Sequence, residues 1–149
     1  MIQVNIEFKI KTAGADDVLI HLNKCKDNFI PALDKTVDIT KYSKKIVESS
    51  VTFEAWINKE LIGLIATYFN DNENYSGFIT NVSVVNECAG RGLASELLKN
   101  CIQYAEKRNF KEINLEVYHK NEQAIKLYKK YDFYQASSKE DLVIMKKIL

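Results

Sequence analysis

Apolar residues in this chain recur at two spacings, and the changes from one to the other mark its elements. Val4, Ile6, Phe8 and Ile10 alternate with polar residues, the period of a half-buried strand. Gly14 ends that run. From Asp16 the set Val18, Leu19, Leu22, Cys25 and Phe29 follows a helical period, with Asp16 or Asp17 favourable at the start and Pro31 as the stop. A second amphipathic helix begins near Asp38 or Thr40, either a good N-cap, and carries Tyr42, Ile46 and Val47 to about Ser49. Three apolar stretches follow at 51–57, 61–69 and 75–85. The short polar turns Asn58-Lys59-Glu60 and Asn70-Asp71-Asn72-Glu73-Asn74 between them predict an antiparallel meander.

The pattern then changes style. Leu93, Leu97, Leu98, Cys101, Ile102 and Ala105 predict a helix from Gly90 to about Arg108, and residues 113–118 read as a strand. A strand, helix, strand unit with so long a crossover makes its two strands parallel. A helix over about 122–131 comes next, then short strands at 133–136 and 142–146 separated by Ser137-Ser138-Lys139-Glu140-Asp141. The fold class is α/β, or α+β by some schemes. It is a mixed, mostly antiparallel twisted sheet of about six to seven strands flanked by about four helices. No repeat or linker interrupts residues 1–149, which read as one domain.

The most informative connection is Asn86-Glu87-Cys88-Ala89-Gly90-Arg91-Gly92-Leu93-Ala94. It joins a β-branched strand to an amphipathic helix through two glycines. The first amides of a helix lack intrahelical partners and, with the helix dipole, attract anions. Without β-carbons, Gly90 and Gly92 let a bulky anion approach the backbone. The connection reads as a pyrophosphate cradle, although two glycines also serve tight packing alone. A P-loop is excluded, because Leu93-Ala94 stands where Lys-Ser/Thr is needed. A dinucleotide fingerprint fits poorly, since Ser95 occupies its third small position and the strand does not open the fold.

Composition narrows the partners. With 21 basic and 20 acidic residues the net charge is +1, which gives no basic field for nucleic acid. No stretch approaches the ~20 apolar residues of a membrane span, and no secretory signal opens the chain, so cytoplasmic location is the expectation. Cys25, Cys88 and Cys101 are odd in number and widely spaced, which suits a reducing compartment. His21 and His119 stand alone and suggest no metal site. Cys88 reads as a small filler, with no histidine near it in sequence to act as base.

The run Val84 to Ala94 resembles the acyl-CoA-binding motif of the GNAT superfamily of N-acyltransferases, Q/R-x-x-G-x-G/A, with Gly92 and Ala94 at its small positions. Ala89 departs from it by keeping the amide and losing the polar side chain, and Arg91 next door can supply charge. Further on, Leu115, Val117, Asn121, Ala124, Tyr128 and Phe133 match the family's L-x-V-x-x-x-N-x-x-A-x-x-x-Y-x-x-x-G-F. The exception is Asp132, which replaces the glycine at a position that looks like a left-handed helix C-cap. The order of elements is similar to the GNAT fold over essentially the whole chain.

The resemblance implies transfer of an acetyl group from acetyl-CoA, as co-substrate and without a metal, to a primary amine by direct attack in a ternary complex. Amides from Ala89 through Gly90, Arg91, Gly92 and Leu93 to Ala94 would hold the pyrophosphate. The parallel strands carrying Val84 and Val117 would splay apart, so that the pantetheine arm bonds to the edge near Val82 and Val84. An N–H near Val84 would stabilise the oxyanion, worth ~3 kcal/mol. At helical spacing, Asn121, Ala124 or Ile125, and Tyr128 share one face that can line a groove. Asn121 joins the cofactor-binding set, though it also fits a plain N-cap, and Tyr128 is the candidate general acid.

The general base is not legible. Glu54, Asp71 and Glu116 are candidates by type, and each also fits an exposed turn or solvated strand face. The expectation is instead that the amine loses its proton through ordered water, held by Thr80 or Asn81, because no carboxylate lies inside the apolar run just before the turn. Phe29-Ile30-Pro31-Ala32-Leu33 and the helix from Thr40 are expected to form one wall for the acceptor, with Tyr68, Asn70 and Tyr75 across from it. These groups suit a small polar amine such as an aminosugar or amino acid. A homodimer is left open. So is a non-catalytic acyl-CoA-binding sensor or regulatory module, the reading towards which Ala89 leans.

Overall fold

The computed structural model describes residues 5–149; Val4 of the first predicted strand lies outside them. The strands are β1 (Ile6–Ile10), β2 (Val51–Ile57), β3 (Glu60–Asp71), β4 (Ser76–Val84), β5 (Glu112–Tyr118), β6 (Tyr134–Lys139) and β7 (Leu142–Ile148). The helices are α1 (Ala15–Cys25), α2 (Ile39–Ser49), α3 (Leu93–Lys107) and α4 (Glu122–Lys130). One seven-stranded sheet runs in the order β1-β2-β3-β4-β5-β7-β6. Among the described residues only β4 and β5 pair in parallel, which is the mixed, mostly antiparallel sheet that the pattern of elements implies.

Each face of the sheet carries its own core. On one, α3 and α4 bury Leu97, Leu98, Cys101, Ile102 and Tyr128 against Phe53, Ile65, Ile79, Ile113 and Leu115. On the other, α1 and α2 bury Val18, Leu22, Ile39 and Ile46 against Trp56, Leu61 and Leu64. Helix α3 lies close to the sheet because Gly63 has no side chain: a Cβ there would stand 3.1 Å from Leu97 Cδ1.

Local chemistry sets the helix ends. The Asp17 carboxylate accepts the Gly14 amide at 2.9 Å, and Asp38 caps α2 through the Lys41 amide at 3.1 Å. Helix α1 does not run on to Pro31. It stops at Cys25, and Lys26–Asn28 tighten into a 3₁₀ turn that carries Phe29 off the helix. Two sheet expectations also change. Phe8 and Ile10 remain exposed because β1 is an edge strand whose faces are incompletely covered. Ser137, Ser138 and Lys139 belong to β6, leaving only Glu140 and Asp141 in the turn, since a bulge between Gln135 and Ser137 lengthens the hairpin.

Candidate active site

Strands β4 and β5 begin side by side and then part. They pair from Ser76 and Glu112 to Ile79 and Leu115 and no further, although β4 continues to Val84 and β5 to Tyr118. The parting coincides with a bulge. Asn81 faces Ala66 and Ile79 faces Thr67, so Thr80 is an extra residue on β4, and a bulged strand bends. Strand N–H groups alternate in direction, and the Val85 amide donates across β3 to the Ile62 carbonyl at 3.0 Å. The amides of Val84 and Val82 therefore point into the gap.

The gap opens into a cavity of about 550 Å³ reaching both faces of the sheet. Val82, Val84, Ala89, Gly90, Gly92, Leu93 and Ala94 line it. So do Asn121, Ala124 and Tyr128 of the α4 end; Ile125 does not. Arg91 is exposed and lies off the lining.

At the start of α3, Gly90 and Gly92 have φ of +80° and +75°, and a Cβ on either would meet nothing within 4 Å. Among the described residues the amides of Gly90 to Ser95 have no protein partner, the first helical bond being from the Glu96 amide to the Gly92 carbonyl at 3.1 Å. The Ala89 amide is different. It donates to the Asn86 carbonyl at 3.2 Å, closing a 3₁₀ turn, so the free row begins one residue later than expected. The open space, the free donors and the helix dipole together fit a diphosphate.

Asn121 caps α4, its Oδ1 accepting the Ala124 amide at 3.2 Å, and it also faces the cavity. Tyr128 is 6% exposed, and among the described residues its hydroxyl has no hydrogen-bonding partner. Burial alone pushes its pKa above the ordinary phenol value, so the proton stays on.

The three candidate bases separate. Glu54 is neither in a turn nor on a solvated face but fully buried. It accepts from the Thr12 amide (2.9 Å), Thr12 Oγ1 (2.5 Å), the Ala13 amide (3.1 Å), Thr52 Oγ1 (2.6 Å) and Trp56 Nε1 (3.0 Å), a structural knot off the cavity. Burial raises its pKa, but these bonds outweigh it and hold the carboxyl below its usual range. Asp71 orders its own turn by accepting the amides of Glu73 and Asn74. Glu116 is exposed and lines the cavity, where it is the one charged lining residue among those described. Thr80 and Asn81 line it as well.

The expected acceptor wall is only partly there. Phe29 and Ile30 line the cavity, and Asn28 beside them donates to Asn86 Oδ1 at 2.9 Å. Pro31, Ala32, Leu33 and α2 do not line it, nor do Tyr68, Asn70 and Tyr75. Lys45 sits over the Tyr68 ring, Asn70 donates to the Ser49 carbonyl at 3.0 Å, and Tyr75 packs on Phe110. That end of the meander lies beside the stretch where β4 and β5 are still paired, before the gap begins.

His21 and Ser83 were not legible as site residues. His21 is 1% exposed, with Nδ1 3.2 Å from the Leu61 carbonyl and Nε2 2.8 Å from Ser83 Oγ, and Ser83 reaches Asn81 at 2.8 Å. The available signal was positional: His21 falls on the buried stripe of Val18, Leu22 and Cys25.

A family model described as the acetyltransferase (GNAT) family matches residues 18–133. Among curated proteins no sequence match is found. Solved structures share the fold. The ribosomal-protein-S18-alanine N-acetyltransferase from Escherichia coli superimposes with a TM-score of 0.76 at 17% identity, covering 95% of this chain and 94% of that one. PaiA N-acetyltransferase from Thermoplasma acidophilum, in complex with coenzyme A, gives 0.76 at 14%, covering 96% and 99%. An N-acetyltransferase from Staphylococcus aureus Mu50 gives 0.74 at 20%, covering 97% and 98%.

Proposed function

This chain belongs to the GNAT family of acetyltransferases, and from that premise we propose that it moves the acetyl group of acetyl-CoA to the primary amine of a small polar acceptor by direct attack in a ternary complex. The observation that carries the reading is the parting of β4 from β5 beyond Ile79 and Leu115, flanked by unpaired amides at one end and a buried phenol at the other.

Acetyl-CoA supplies an activated carbonyl on a thiolate leaving group. The amides of Gly90 to Ala94, joined by that of Ser95, hold its diphosphate, and the edge of β4 at Val82 and Val84 holds the arm. Arg91 acts from outside the lining as a charge that attracts the phosphates. Asn121 borders the arm while keeping its capping bond. Glu116 takes the ammonium proton, directly or through water, and the free amine attacks the thioester carbon. The carbon–sulfur bond breaks, the Tyr128 hydroxyl gives its proton to the departing thiolate, and the remaining extra proton on the acylated nitrogen passes, directly or through water, to restore the phenol. An N–H at Val84 faces the oxyanion that forms between these steps.

Residues 1–149 act as one N-acetyltransferase domain in this reading, since a single sheet takes in strands from Ile6 to Ile148. Three buried, unpaired cysteines accord with a cytoplasmic location. Among the described residues no helix is long and apolar enough to cross a membrane.

Release of free coenzyme A thiol, followed with a panel of primary amines, tests the function. Amine-dependent release with one member of the panel is the expected result. Tight coenzyme A binding with no release for any amine would return the chain to the role of a binding module.

A further inference from the structure

The cavity has two unlike halves, and strand alternation separates them. Leu115 and Val117 pack into the core under α3 and α4, so Glu116 and Tyr118, one position out of step with them, project from the opposite face of the sheet. Asn81 and Ser83 of β4 share that face. Asn81 pairs with Ala66, which belongs to the core under α1 and α2, and Ser83 meets His21 of α1. Phe29 and Ile30, just after α1, complete this half. The phosphate cradle and Tyr128 belong to the other, with α3 and α4.

Charge is laid out in one sense only. Glu116 is acidic, and among the described residues no Lys, Arg or His side chain lines either half of the cavity. The polar side chains that share its face of the gap are amides and hydroxyls. An ammonium ion entering there meets a carboxylate. An anionic group meets a like charge and finds no cation to replace the water it gives up.

Resting on the acetyl-transfer reading above, we infer that the acceptor is an amine without a neighbouring carboxylate, of the amino-alcohol or neutral aminosugar type and not a free amino acid, and that Glu116 makes the choice. Covalent geometry enforces it. Bonds of about 1.46 and 1.52 Å join an α-amine nitrogen to its carboxyl carbon, which holds the two about 2.5 Å apart. A nitrogen close enough to attack, about 3–3.5 Å from the thioester carbon, therefore carries its carboxylate into the half that Glu116 occupies and cannot leave it in solvent. Hydroxyls on the same scaffold bring no charge and can pair with the amides and hydroxyls already there.

The test takes the best amine from the thiol-release panel and compares it with the same molecule bearing, or stripped of, an α-carboxylate, with rates referred to free amine at several pH values. The form without the carboxylate should have the higher kcat/KM by about tenfold or more, while the KM for acetyl-CoA is the same with both. The methyl ester of the amino acid, which masks the charge and keeps the bulk, should recover most of the loss. In Glu116→Gln, compared with wild type near the amine's own pKa, the preference should shrink to about threefold or less, which a purely steric exclusion would not do. Equal or better use of the free amino acid by the wild type, or a preference untouched in Glu116→Gln, overturns the inference, and thiol release in those same assays leaves acetyl transfer standing. No release with any amine removes the reading on which it rests, and the inference with it.

Discussion

Tyr128 and Phe133 are tied to each other at the end of α4. The Phe133 amide donates to the Tyr128 carbonyl at 3.1 Å, and their rings meet with centroids 5.8 Å apart. With the Asp132 amide on the Lys129 carbonyl at 3.0 Å, this is a Schellman ending, whose usual apolar contact here falls on the phenol that faces the cavity. The helix stop and the orientation of the proposed acid are one feature.

Tyr128→Phe should keep that packing and remove only the hydroxyl. The expected result is a fall in kcat of about 10²-fold with little change in acetyl-CoA affinity. Because burial raises the phenol pKa, no basic limb below about pH 10 should be traceable to this residue. Single-turnover rates beside a coenzyme A titration check both points; unchanged kcat would remove Tyr128 from its role.

Asp132 holds the left-handed position of the same ending at φ +69°. Asp132→Gly should relieve that strain and stabilise the fold by roughly 0.5–1 kcal/mol, with kcat unchanged. Urea denaturation reads the first and the thiol assay the second.

At the phosphate cradle the open space beside Gly92 predicts opposite effects from two substitutions. Gly92→Ala puts a methyl where a phosphate would approach and strains a φ of +75°, costing about 1 kcal/mol of stability and raising the acetyl-CoA KM about tenfold or more. Ala89→Gln adds a polar side chain next to the free amides and should lower that KM about threefold. Equal KM values in all three proteins would mean that the diphosphate sits elsewhere.

Glu116→Gln should lower kcat/KM for the amine about 10²-fold at neutral pH. Activity should recover towards wild type as the pH approaches the amine's own pKa, where free amine needs no base. A loss that stayed constant with pH would assign Glu116 to substrate binding.

Acid stability reports on His21. Its folded pKa of about 4 lies below the ordinary 6.5, so the unfolded chain binds the proton first. Its contribution is complete above pH 6.5 and is lost as the pH falls towards 4, about 3 kcal/mol in all. Glu54, held below its ordinary 4.5, adds acid lability only beneath that value. Urea midpoints between pH 6.5 and 4.5 should therefore slope in the wild type and flatten in His21→Gln, while His119, exposed, is left in place.

Much of this protein was determined by its sequence alone. The periods of two and of 3.6 located the strands and helices, because a strand or helix is fixed by neighbours a few positions away. The glycine turn and the left-handed position at Asp132 are local in the same way, whereas Asn121 and Tyr128 stand out as candidate site residues only through the resemblance to the GNAT motif. Tertiary structure decided what depends on partners far along the chain. Glu54 became a buried knot because Thr12, 42 positions earlier, folds over it, and His21 reached Ser83 across 62. Tyr68, Asn70 and Tyr75 stay out of the site because they lie at the end of the meander where β4 is still paired with β5, and Glu116 enters it because β5 runs on past Leu115, where that pairing has ended. The chain's letters specify which residues can bond and at what period they recur; only packing decides which of them meet.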